Sequence, residues 1–308
     1  MSIDLKESIV PQKTELAKMF PFNEELYSLE GKELEFMKNQ TGITDEDELK
    51  KHIIAVTKAA YEVFPYPCIR RYAFLALRLP SLPGYDRLIE LGKERKNAVL
   101  LDIGCCFGND VRIAAADGFP AKQIVATDLY GGYWTLGHKL YRSTPETFPA
   151  KFLAGDAFDP IHLAIAPPVY AVGPEPVPDL PSLTSLNPLH GHVAAIHTSS
   201  FFHLFNEEQQ LHLARAMAGL LCPLPGSMII GTHAGALETG FTTHDVGGGN
   251  DSAAGGSVSM FCHSAKSWTE LWDGQVFEKD KVTVEAKTVQ IQIGERLRHV
   301  LQWCVTRL

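Results

Sequence analysis

The chain has 308 residues, 45% of them apolar, which allows one large or two small domains around a packed core. Its formal net charge of −8 argues against a polyanionic partner such as nucleic acid, and no lysine–arginine stripe offsets that balance. Six cysteines at positions 68, 105, 106, 222, 262 and 304 form no CxxC pair, so neither a zinc site nor a disulfide framework is expected and a reducing cytoplasm suits them.

The opening MSIDLKESIVPQKTELAKMF lacks the apolar core of a secretory signal. No stretch approaches the ~18 apolar residues of a membrane span, so no membrane association is expected. Residues 1–96 precede the first core strand and form a unit of their own. Apolar spacing predicts helices over 29–39 and 45–63, the second capped by Thr44 and carrying Ile53, Ile54, Val56, Ala60 and Val63 near one face. Phe64-Pro65-Tyr66-Pro67 breaks that run, and further helices are expected over 69–79, ending before Pro80, and over 85–94. The region reads either as a helical layer packed on a sheet or as a lid with Tyr61, Phe64, Tyr66 and Tyr72 on its inner wall.

Val99-Leu100-Leu101 is too short an apolar run for a helix and is followed at once by Asp102, Gly104 and Gly108, the pattern of a buried parallel strand entering a glycine turn. A helix capped by Asn109 or Asp110 should run to Gly118, and the next strand, 123–127, ends in Asp128. Asp102-x-Gly104-x-Cys106-x-Gly108 is D-x-G-x-G-x-G with its middle glycine replaced. A dinucleotide fingerprint needs G-x-G-x-x-G so that backbone can approach a pyrophosphate, and no glycine stands at 106. S-adenosylmethionine has no pyrophosphate, and its amino-acid end needs only a close turn. The expected cofactor residues are Asp102, Gly104, Cys105 and Gly108 in the turn, then Asp128, which accepts both ribose hydroxyls, and Leu129. A third element, 152–158, adds Asp156 for the adenine amino group, Ala157, and Phe158 for the ring face.

Eight prolines between 159 and 190 forbid a long regular element. A fourth strand over 192–198, a helix from Asn206 to about 221 and a fifth strand over 226–232 follow. The glycine-rich 235–256 is too poor in apolar residues to be core and is expected to be mobile; it lacks the strand–GK[ST]–helix setting of a phosphate loop. A short helix over 264–272 sets Trp268 and Trp272 four apart, and alternating runs over 282–291 and 298–307 close the chain as strands. The expected fold is α/β, a Rossmann-like, seven-stranded, mostly parallel sheet with an antiparallel last strand and an N-terminal helical cap. The division is 1–96 for the cap and 97–308 for the cofactor-binding domain, with loop insertions at 159–191 and 235–260.

The chain resembles fungal small-molecule methyltransferases of meroterpenoid and related natural-product pathways. The resemblance rests on YPCIRRYAFLALRLPSLPGY (66–85), LDIGCCFGNDVR (101–112), DGFP (117–120), TSSFFHLFNEEQ (198–209), PLPGSMIIGTH (223–233) and FCHSAKSWTELW (261–272), spread over nearly the whole chain. Two positions depart from it: Gly108-Asn109-Asp110 stands where the family usually shows Gly-Gln-Asp, and His192-Val193-Ala194-Ala195 where an acidic residue often opens the strand. The resemblance implies S-adenosylmethionine-dependent methyl transfer with S-adenosylhomocysteine as product, a small aromatic or terpenoid acceptor, and a cap that closes the pocket.

Transfer from a sulfonium is an in-line displacement, so the protein must align the partners and, for a hydroxyl acceptor, take its proton. Among twelve histidines, His203 and His263 lie inside the two most specific blocks and are the expected bases. Tyr66, Phe201, Phe202, His233 and Trp268 are the expected pocket residues. A phenolic hydroxyl is the expected acceptor. A carboxyl group, which needs no base, is the alternative, and a catalytically idle cofactor-binding scaffold is the alternative of another class. No metal is expected, because no H-x-x-x-H or H-E-x-x-H pairing occurs. The oligomeric state stays open.

Overall fold

The computed structural model describes residues 11–173, 176–248, 251–293 and 296–308. The first ten positions of the expected cap, and the tip of the glycine-rich segment at Gly249 and Asn250, lie outside the described residues.

The cap begins with α1 (Lys13–Met19), α2 (Gly31–Thr41) and α3 (Glu46–Val63). Asp45 and not Thr44 caps α3, its carboxylate accepting the Glu48 N–H at 2.8 Å. Helical periodicity then turns Leu49, Ile53, Val56 and Ala60 inward, each fully buried. With Leu16, Phe20 and Met37 they pack on Phe107, Tyr133, Leu140 and Tyr141 of the body. The helix expected over 69–79 is instead α4 (Pro67–Arg70) and two 3-10 turns, Ala73–Leu75 and Leu79–Ser81. Tyr72 at φ +52 stops helical propagation, and Pro80 has no N–H to continue it.

Next come α5 (Tyr85–Glu94), β1 (Val99–Ile103), α6 (Asn109–Ala116), β2 (Ile124–Asp128), α7 (Gly131–Leu140) and β3 (Lys151–Ala154). After the proline-rich stretch follow β4 (Val193–Ser199), α8 (Glu207–Leu220), β5 (Met228–Ala234), β6 (Gly240–Gly248), β7 (Asp251–Cys262), α9 (Ala265–Trp272), β8 (Val282–Ile293) and β9 (Arg296–Arg307). The sheet order is β3-β2-β1-β4-β5-β9-β8. The first five strands are parallel, and β9 runs antiparallel between β5 and β8. The expected Rossmann-like sheet with an antiparallel last strand is present. Chain order reverses between β1 and β4, which makes their carboxyl ends the switch point where ligands of such sheets bind.

Alternation along β1 sends Val99, Leu101 and Ile103 into the core shared with α8 and the tryptophans, and Leu100 into the core under α5 and α6. Asp102 therefore faces the α5–α6 side. The proline-rich segment is irregular as expected, yet it buries Leu180, Leu183, Leu186 and Leu189 in the first of these cores.

The glycine-rich segment is not a loose excursion. β6 and β7 form a two-stranded antiparallel ribbon with register from Gly240↔Cys262 to Val246↔Gly256. Backbone pairing needs no apolar side chains, so the poor composition did not preclude strands. The ribbon reaches the cap: Val258 packs on the cap cluster, and Gly256 lies beside Met19, whose Cε would sit 2.9 Å from a Cβ there. Among the described residues no helix is long and apolar enough to cross a membrane.

Candidate active site

The turn after β1 hangs on the neighbouring strand, since the N–H groups of Gly104 and Cys105 both donate to the Thr127 carbonyl, at 2.9 and 3.1 Å. Gly104 takes φ +77, and a Cβ there would meet the Phe201 ring at 2.9 Å. Cys106 takes φ +51, the left-handed conformation that a middle glycine adopts without strain. Its N–H donates to Asp128 Oδ2 at 2.9 Å, and the Tyr130 N–H donates to Asp128 Oδ1 at 2.9 Å. The β2-end carboxylate thus ties the first turn to the second. Burial pushes the Asp128 carboxyl above its usual range, and these backbone donors pull against it.

Asp102 is buried, with Oδ1 accepting from His197 Nδ1 at 2.8 Å, while Oδ2 has no partner among the described residues. Asp156 lies exposed at the end of β3, and its Oδ1 accepts the Phe158 N–H at 2.9 Å. The Phe158 ring rests on Phe205 and His212, with centroids 5.0 and 5.4 Å away, and Ala157 packs beside it at the edge of the core. Leu129 is exposed, Gly108 is buried under Trp134, and the Cys105 thiol is buried in the α5–α6 core, where burial pushes its pKa up.

These groups fit S-adenosylmethionine. The orphaned buried oxygen of Asp102 suits an ammonium, Asp128 keeps lone pairs for ribose hydroxyls, and Asp156 with Phe158 offers an acceptor and a ring face for adenine.

The expected acceptor residues divide into two groups. Phe201 stands against Gly104, and Tyr66 of the cap lies 6.4 Å from the Tyr130 ring beside Asp128. Phe202, His233, Trp268 and His263 instead form one buried aromatic cluster next to Trp303. His233 Nδ1 accepts from Trp303 Nε1 at 3.1 Å, and burial holds its ring well below the usual histidine range. His263 Nδ1 pairs with the Ser267 hydroxyl at 2.9 Å, burial pushes its pKa down to about 4, and it lines a cavity of about 220 Å³ with Glu207, Thr239 and Glu270. His203, next in the chain to Phe202, has its Nδ1 accepting the Ala234 N–H at the end of β5, 3.3 Å away. Sequence reasoning passed over His197 and Ser199, whose only signal is a pair of polar residues two apart in an apolar strand.

Residues 22–75 match the family described as the meroterpenoid methyltransferase N-terminal domain. The chain is 34% identical over 249 residues to the O-methyltransferase phiE of a fungal species, covering 80% of this chain and 72% of phiE. It is 30% identical over 225 residues to the asnovolin E/chermesin D methyltransferase nvfJ of Aspergillus novofumigatus, covering 73% and 69%. A solved structure, the 1,6-didemethyltoxoflavin N1-methyltransferase of Burkholderia thailandensis, matches with a TM-score of 0.47 at 11% identity, over 86% of this chain and 91% of that one. With two relatives at this identity over more than two thirds of their length, and a turn whose donor set fits the cofactor, the chain belongs to the fungal S-adenosylmethionine-dependent O-methyltransferases.

Proposed function

We propose that the acceptor is a small, largely apolar molecule, aromatic or terpenoid, methylated on a phenolic hydroxyl, and that the cap of residues 1–96 closes over it against the cofactor-binding domain of 97–308. The observation that carries this reading is the aromatic closure over the β2 end. Phe64 of the cap stacks on Tyr130 at 5.1 Å, Tyr66 lies 4.5 Å from Phe64, and the Asp128 carboxylate bears on the Tyr66 hydroxyl. Phe201 lies against Gly104 in the turn after β1. Such a mouth favours a flat apolar acceptor with few polar groups. The reducing conditions that suit six unpaired cysteines support a cytoplasmic location.

The cofactor supplies an electrophilic methyl group on sulfur. This chain's residues hold the cofactor at Asp102, Asp128 and Asp156, exclude water with the aromatic wall and orient the acceptor oxygen. Because the Ala234 N–H occupies His203 Nδ1, the neutral ring carries its proton on Nε2 and keeps no lone pair with which to act as a base. His263, behind Phe202 and Trp268, is assigned to the packing of that cluster.

The same His203 observation favours a second reading, a carboxyl acceptor, since a carboxylate needs no base. The test is to incubate the protein with S-adenosylmethionine and matched panels of phenols and of aromatic and terpenoid acids, measuring S-adenosylhomocysteine and the product masses. Methylated phenols with unchanged acids are expected. Methyl esters alone would transfer the conclusion to the carboxyl reading, and no product from either panel would overturn both.

A further inference from the structure

His197 and Ser199 lie two apart on β4 and so project to one face of the sheet. Asp102 is the register partner of His197 on β1 and faces the same way. The three side chains form a continuous array: Asp102 Oδ1 lies 2.8 Å from His197 Nδ1, and His197 Nε2 lies 2.7 Å from Ser199 Oγ. The first two are only 2% exposed, whereas Ser199 is half-buried at the carboxyl end of its strand. At its histidine end the array therefore reaches the outside at Ser199. Two residues beyond the Asp102–His197 pairing, the chain reaches Gly104 on one side and Ser199 on the other, so that opening stands beside the cofactor turn at the switch point.

We propose that Ser199, oriented by His197 and Asp102, receives the acceptor oxygen at the transfer site and passes its proton inward to His197. The proposal rests on the O-methylation reading above. An ionised Asp102 can only accept, so His197 Nδ1 carries a hydrogen, and in the neutral ring Nε2 accepts from the Ser199 hydroxyl. Ser199 then turns its lone pairs outward toward an acceptor O–H. As the acceptor oxygen bonds to the methyl carbon and the carbon–sulfur bond breaks, its electron pair stays on sulfur as a thioether. The acceptor proton moves to Ser199 Oγ, and the Ser199 proton moves to His197 Nε2. One positive charge is lost at sulfur and one gained at imidazole, so the step balances. In the imidazolium state the array reverses: Nε2–H donates to Ser199, and the serine hydroxyl points outward to suit an acceptor that arrives as an oxyanion.

Asp102 from β1 and Asp110 from α6 both act on the His197 ring, Arg78 acts on Asp110, and Ile230 is the ring's neighbour on β5. Burial lowers the His197 pKa, but the two carboxylates outweigh it and the net shift is upward. The pH dependence therefore distinguishes the acceptor classes. For a neutral hydroxyl, kcat/KM should rise as pH rises through the His197 titration, because the ring must start neutral. For a carboxylate it should fall over the same range, because the outward-pointing hydroxyl is lost.

The test uses the full chain with Ser199→Ala and His197→Gln. On whichever acceptor class is methylated, Ser199→Ala should lower turnover by about 10²–10³-fold with S-adenosylmethionine affinity by calorimetry within about threefold of wild type. His197→Gln should remove the pH limb. Nitrogen-15 NMR of the histidine rings should show His197 hydrogen-bonded through Nδ1–H and titrating above the ordinary 6.5. Wild-type turnover in Ser199→Ala, loss of cofactor binding in it, or an unchanged pH limb in His197→Gln overturns the proposal. So does a His197 ring that holds one protonation state from about pH 5 to about pH 9. If the wild type methylates neither class, the acceptor reading fails by itself, and the ring titration still decides whether His197 can take a proton.

Discussion

Cys106 places a side chain at the point of the turn where the backbone is left-handed, φ +51, a conformation that costs an L-residue roughly 1–2 kcal/mol. What holds it there is its N–H bond to Asp128, which belongs to the backbone and survives any substitution except proline. Cys106→Gly should therefore relieve about 1 kcal/mol of strain while losing about 0.5–1 kcal/mol to the greater freedom of the unfolded chain. The melting temperature should stay within about 3 °C and S-adenosylmethionine affinity within about threefold, by calorimetry. A large change in either would mean that the thiol itself contributes to the site. Asp128→Ala should behave oppositely. It strips two backbone N–H groups of their acceptor as well as leaving the ribose hydroxyls unpaired, so cofactor binding should weaken by about 1.5–3 kcal/mol. Unchanged affinity would refute the ribose assignment. Asp102, Gly104, Gly108 and Asp128 were legible in sequence because a strand-turn-helix imposes their spacing locally. The His197–Ser199 array was not, because its meaning depends on Asp102 arriving from 95 positions away.

At the scale of elements, α8 shows how much a local signal can carry. Asn206 Oδ1 accepts the Gln209 N–H at 3.0 Å, and Gln209 Oε1 accepts the Asn206 N–H at 3.0 Å, a reciprocal cap that fixes where the helix starts. That start aims Leu213, Ala214 and Met217 into the core. Asn206→Ala should cost about 1 kcal/mol of unfolding free energy in a denaturant titration, with the slope unchanged. A changed slope would show that the cap also governs how much structure unfolds together. The sheet strands and α3, α5, α8 and α9 were legible because apolar periodicity marks each window, and in α8 and α9 a capping box also fixes the start. Of the elements misread or passed over, three show where local and tertiary signals part. The 69–79 segment has helical composition, but Tyr72 turns left-handed and a proline follows. α7 opens on Gly131-Gly132, and its glycines serve close packing: a Cβ on Gly137 would lie 2.2 Å from the Phe107 carbonyl oxygen. The β6–β7 ribbon has little apolar content, and a two-stranded ribbon in water is marginal, so its seat on the cap, through Val258 and through Gly256 beside Met19, is what a sequence window could not contain.

For the molecule as a whole, the consequential chemistry is that its buried histidines divide by sign. His197 is held toward the charged form by two carboxylates, so its contribution to stability is fully present below the unfolded value of 6.5 and is lost as pH rises through its folded pKa. His233 and His263 lie on the other side of the sheet, where burial holds them neutral. For these the unfolded chain binds protons that the folded protein refuses, so stability is present above 6.5 and drains away as pH falls toward the folded values. For His263, falling from 6.5 to about 4, the loss at pH 4.5 comes to about 2–3 kcal/mol at 1.36 kcal/mol per pKa unit. Carboxylates throughout the chain also titrate in that range, so the absolute acid curve does not isolate the effect, whereas a difference between two proteins does. His263→Gln keeps a side chain able to hydrogen-bond Ser267 but has no proton to gain. The variant should be less stable than wild type at neutral pH through lost packing, and the gap should narrow by about 2 kcal/mol or more by pH 4.5, measured by urea unfolding at both values. Parallel pH curves for the two proteins would mean that the imidazole reaches water before the fold gives way, through the cavity it lines with Glu207, Thr239 and Ser267. A gap that narrows as expected would show that the His263 imidazole stays dry within the aromatic cluster around Trp268 until the fold gives way.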